Sequence, residues 1–253
     1  MKYEQIAPAN ISEQEKIYRT FISNDPVLSY FLATGSIPPN ARFVKEAIYT
    51  DIGFLAFISP YFKEVYVQAI RAAFAQKNVN LMSDVAANPM LLNTAYRMQA
   101  FDQLLADLEE KKTKLAAMHN KLVMYDPLEF GDLLEFTDAS TISNMNYLPV
   151  EFLEFRSAYA ALVVKVIKAL VNRDLQTSLT MVCNLCELTV DMPTLQDIHA
   201  LCKLIHDADN EQKGMECDRE RLSRFISDLG RRHRYDSWPF ILIGVAVFID
   251  VLL

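Results

Sequence analysis

Four dipeptides narrow what this chain can fold into. Asp25-Pro26, Ser59-Pro60, Asn88-Pro89 and Asp126-Pro127 each place a capping side chain directly before a proline. Proline is tolerated at the first position of a helix, where its missing N–H would have no intrahelical partner. A preceding Asp, Ser or Asn can accept from the free N–H groups that follow. Ser12 with Glu15 adds a capping box. Thr194 with Asp197, just after Pro193, reads as another start. Hairpin signals are missing by contrast, since neither Asn-Gly nor Asp-Gly occurs. Glycine itself is scarce, with six in 253 residues, where a usual share is ~7%. The six are also too scattered for a phosphate-cradling loop. These features together predict an all-α protein, a multi-helix bundle or irregular array of about ten helices.

Apolar spacing and the start signals place helices at 13–23, 26–33, 41–57, 60–77, 89–124, 127–136, 150–172, 174–190, 194–209, 217–229 and 239–253. Periodicity is clearest in Phe152, Phe155, Tyr159, Leu162, Val166 and Leu170, one stripe at steps of three or four. Leu222, Phe225, Ile226 and Leu229 repeat it on a shorter helix. The aromatic stretch at 48–66 reads as core packing, with a partner groove as the alternative. The segment 89–124 is the longest. Met98, Phe101, Leu105, Leu108, Leu115 and Leu122 hold a heptad-like seam along it, with Lys112 and His119 at seam positions. Such a seam fits a homodimer arm or a long helix packed within a bundle, and the interruptions favour the bundle. The run "DLEEKKTKL" offers Glu109–Lys112 and Glu110–Lys114 at helical pair spacing and should face water. The segments 137–149 and 207–218 read as polar breaks. The organisation expected is a helical domain over 1–236, with a candidate subdivision near 137–149, then an apolar segment over 237–253.

The formal net charge of -7 opposes binding to phosphate backbones, so nucleic acid is not expected as a partner. Four cysteines make no disulfide framework, and the N-terminus has no apolar signal region. A cytoplasmic setting follows. The one spacing with metal-ligand character is Cys183-x2-Cys186, twelve residues, then His199, Cys202 and His206. Its first half resembles a zinc-finger opening. The interval from His199 to His206 is too long for that finger, and the cysteines lie in an apolar helical stretch. Buried structural cysteines are therefore the first reading and a zinc site the second. No His carries a Glu three residues before it, and neither a nucleophile-elbow nor a Walker pattern occurs. No catalytic residues stand out.

The chain closes on Arg231, Arg232, Arg234, Trp238 and an apolar run from Pro239 to Ile249. A helix over 239–253 would be roughly 22 Å long, whereas a hydrocarbon core of ~30 Å needs about 20 residues. Asp250 makes an isolated span costlier. The basic and aromatic flank is what an interface would favour, and a few further apolar residues would complete a span if the chain continues. The tail reads first as a buried final helix and second as a membrane segment at a cytosolic face. With no reaction in view, the expected function is a non-enzymatic interaction or adaptor protein with a protein partner. A helical enzyme and a zinc-stabilised module are the alternatives.

Overall fold

The computed structural model describes residues 12–86 and 89–232, with the side chains of 217, 218 and 225–232 outside that description. The chain is all-α: nine α-helices, joined by 3-10 turns, and no strand among the described residues. They are α1 (Glu13–Asn24), α2 (Pro26–Thr34), α3 (Ile52–Ala75), α4 (Val79–Ala86), α5 (Thr94–Met124), α6 (Ala139–Tyr147), α7 (Leu153–Leu170), α8 (Leu175–Leu185) and α9 (Met192–Arg232). Two units divide the chain, Met1–Ile205 and His206–Leu253. The first holds a continuous core. In the second, α9 carries ladder-like pairs one turn apart, Lys213 with Asp209 at 2.7 Å and Arg224 with Glu220 at 3.3 Å.

Several starts lie where the side chains put them. Ser12 and Glu15 form the reciprocal capping box of α1. Asp25 accepts from the Val27 and Leu28 N–H groups, with Pro26 opening α2. The other three proline pairs behave differently. Asp51 is the cap of α3, accepting from Phe54 N at 2.6 Å, so Pro60 lies inside the helix and Ser59-Pro60 starts nothing. Ser59 is fully buried and works as a cross-link instead. Its one hydroxyl proton is shared between the Leu55 carbonyl at 2.5 Å and the Leu91 carbonyl at 3.1 Å, and its oxygen accepts from Asn93 N, fastening the entry of α5 to α3. The carbonyl that Pro60 leaves unpaired is that of Ala56, an exposed residue that water can satisfy. Pro60→Ala is expected to raise stability by about 1–3 kcal/mol in urea unfolding. A change near zero would mean Pro60 behaves as a first-turn residue after all.

Asn93, rather than Asn88, caps α5, after a 3-10 turn at Pro89–Leu91. No α-helix follows Asp126-Pro127, where a 3-10 segment spans Phe130–Phe136. At the start of α9 the capping carboxylate is Asp191, which accepts from Thr194 N at 2.9 Å, so Thr194 receives the cap rather than supplying it. Residues 41–46 are irregular rather than helical.

Three further differences lie in segments where no helix was expected. Residues 79–86 form α4, and 139–147, expected as a loop, form α6. The polar interval 207–218 does not interrupt a helix; α9 runs through it for 41 residues and is longer than the 31-residue α5. Ser, Thr and Asn lower local helix propensity, but tertiary packing overrides it in α6. There Ile142 and Met145 are buried, and Asn144 donates to the Ala73 carbonyl at the end of α3.

The seam of α5 faces its own chain. Leu108, Leu115 and Leu122 are buried, while Met98 and Leu105 point outward. Lys112 sits at the seam with its ammonium 5.4 Å from the centre of the Phe155 ring on α7 and 2.6 Å from Glu109. Arg71 of α3 forks onto Asp107 of α5. The expected Glu109–Lys112 and Glu110–Lys114 pairs both form. Under α2 and α3 lies an aromatic block, with Phe31, Phe43, Phe62 and Tyr66 at centroid separations of 5.2–6.2 Å. On α7 the stripe of Phe152, Phe155, Tyr159, Val166 and Leu170 is buried, with Leu162 partly so.

Candidate functional site

Two features of the first unit have the makings of a site. One is a concavity between α2 and α3, closed at one end by Leu81 of α4, with a volume of about 1060 Å³. Leu32, Val65, Ala69 and Ala72 line it with small or apolar surface, and Ser29, Gln68 and Gln76 supply uncharged polar groups. Gly35, in the left-handed region at φ +71, ends α2 at its mouth and donates to the Phe31 carbonyl. Glu64 is the one charged side chain in the lining, which contains neither His nor Cys.

The other is a gathering of thiols. Spacing of three residues on a helix puts Cys183 and Cys186 on one face of α8, away from the buried Met181, Val182 and Leu185. On α9, Ile198, Leu201 and Ile205 turn inward, and Cys202 stands beside that buried row. The Cys183 and Cys202 sulfurs come within 4.8 Å of one another. Burial first, and then the neighbouring Cys202 thiol, push Cys186 up to about 12 and raise Cys183. Reactive cysteines are activated by a lowered pKa, so these thiols are not arranged as nucleophiles.

Cys186 and Cys202 are half-buried and pack against the core, as the apolar helical setting suggested, whereas Cys183 is exposed. His199 is exposed on α9 and does not belong to the group. His206 follows Cys202 by four residues on the same helix and opens the second unit. The backbone of Arg231 and Arg232 ends α9. Their side chains, and all of Arg234, Trp238 and the apolar run to Leu253, lie outside the described residues. No helix among the described residues is long and apolar enough to cross a membrane.

The connector between α8 and α9, residues 186–191, is held by three side chains that sequence reasoning did not single out. Asn146 donates to the Glu187 carbonyl and accepts from Thr189 N, both at 2.7 Å. Arg156 Nε donates to the Thr189 carbonyl at 2.9 Å, and Ser157 Oγ accepts from Asp191 N at 3.0 Å. One signal was available: Arg156 interrupts the apolar face of α7 between Phe152 and Tyr159. A buried arginine on a core stripe has to be bound to something.

Fold and site define an all-α helical array with a surface groove and a cluster of thiols. Compared with protein-family models, curated proteins and solved structures, the chain matches none.

Proposed function

We propose that the chain is a non-enzymatic interaction protein, and that the groove between α2 and α3 receives an amphipathic helix of a protein partner. The observation that carries this is the groove's lining. It is long on apolar and uncharged polar surface and contains neither His nor Cys, and one carboxylate, Glu64, stands in it. Acid–base chemistry needs paired titratable groups within reach of each other, whereas a helix-binding groove needs an apolar floor and a polar rim. Its volume of about 1060 Å³ exceeds what most small ligands fill. The occupant is basic on its polar face. Glu64 is already paired with Lys63 at 2.8 Å, so the attraction rests on the chain's net charge of -7, which draws cationic segments over longer range. A cytoplasmic setting belongs to the same proposal, with attachment at the cytosolic face of a membrane through 238–253 as its alternative.

The full chain is titrated against short amphipathic helical peptides, basic on the polar face, followed by fluorescence anisotropy. Binding in the micromolar range is expected, and Ala72→Arg, which fills and charges the floor, weakens it at least about tenfold without shifting the thermal midpoint. Equal binding by parent and variant would overturn the proposal, as would equal binding of acidic peptides.

A further inference from the structure

We propose that α9 pairs antiparallel with α9 of a second copy of this chain, through the face that carries Ala208, Glu211, Met215, Arg219 and Leu222. The pairing is independent of the groove, and all of these residues lie within the second unit.

They share one face of a continuous helix. Successive members stand three or four residues apart, close to one turn. From Met215 the row reads alike in both directions: a charged residue four positions away, then an apolar one seven positions away. Only the sign of the charge differs, acidic at Glu211 and basic at Arg219. A two-fold axis at Met215 therefore sets Glu211 against Arg219 twice and Ala208 against Leu222 twice, with the two Met215 side chains meeting at the axis. A parallel pair would set Glu211 against Glu211 and Arg219 against Arg219, so charge selects the antiparallel arrangement.

The row is open to a partner. Met215 is 68% exposed, Glu211 and Arg219 are exposed, and Ala208 and Leu222 are half-buried. Other polar side chains nearby are joined along the helix at four-residue spacing: Lys213 to Asp209, Gln212 to Glu216 and Arg224 to Glu220. Four residues from Glu211 and four from Arg219 stands Met215, which cannot pair with either. Among the described residues, neither charge enters an ion pair or a side-chain hydrogen bond. From Ala208 to Leu222 the face is ~21 Å long, so the interface is small and the dimer weak, with a Kd on the order of 10–100 µM.

Sedimentation equilibrium of the full chain at low salt tests this. The parent should pass from monomer to dimer between about 5 and 500 µM. Glu211→Arg and Arg219→Glu each put like charges at both contacts and should weaken dimerisation at least about tenfold, with unchanged thermal midpoints at these exposed positions. Mixed in equal amounts, the two variants regain opposite charges at both contacts, so they should associate with each other as tightly as the parent does with itself. A role in folding alone would give no such recovery. A parent that stays monomeric throughout would overturn the proposal, as would a mixture that does not recover. Single variants that dimerise like the parent would also overturn it, and would assign association to another surface.

Discussion

Arg156→Leu is expected to cost about 2–5 kcal/mol of stability, because each buried carbonyl left without its donor costs roughly 1–3 kcal/mol. Arg156 is 4% exposed, and its guanidinium is bound by three carbonyls rather than by a carboxylate. Its Nη1 donates to Met145 at 3.1 Å and to Leu148 at 2.9 Å, and its Nε donates to Thr189 at 2.9 Å. The first two carbonyls lie at the C-terminal end of α6, where unpaired C=O groups carry partial negative charge. Leucine fills much of the same space and takes the donor from the Leu148 and Thr189 carbonyls, while the Met145 carbonyl keeps the Leu148 N–H at 3.2 Å. Arg156→Lys keeps the charge and loses the fork, so it should recover only part of the loss. Urea unfolding of the three proteins measures this, and a cost below about 1 kcal/mol for leucine would show that water replaces the arginine. Because the Thr189 carbonyl belongs to the connector between α8 and α9, Arg156→Leu should also loosen the thiol cluster.

Leu115→Ala should cost about 2–5 kcal/mol, as for other fully buried leucines. Leu115 is fully buried at the middle of α5, one heptad from Leu108 and one from Leu122. The seam packs inside one chain, with Lys112 over the Phe155 ring of α7. The difference between variant and parent should therefore be independent of protein concentration. A loss that grew on dilution would assign the seam to a second copy.

Where sequence and structure agree, the forces are local. The capping box of Ser12 and Glu15, the Asp25-Pro26 start, the ion pairs of the charged stretch on α5 and the aromatic stripe of α7 each depend on residues within one or two turns. Where they diverge, a distant partner decided. Ser59 resembled a cap because Pro60 follows it, but the buried hydroxyl is occupied by Leu91 and Asn93, more than thirty residues on. Residues 139–147 looked like a loop because Ser, Thr and Asn compete with the helix; burial of Ile142 and Met145 reverses that preference. Of the candidate metal ligands, the C-x2-C pair was legible because its spacing fits one helix face. That Cys202 stands within 4.8 Å of Cys183 depended on how α9 packs beside α8.

The sequence by itself therefore determined the all-α class, several helix starts and which stripes are apolar, because caps, proline and periodicity act over four or five residues. Only the tertiary structure decided that Pro60 is carried inside a helix, that the α5 seam is filled by its own chain, and that Cys183 and Cys202 come within 4.8 Å of one another from two helices. Those outcomes rest on burial and on hydrogen bonds between residues far apart in the chain, where no local signal reaches.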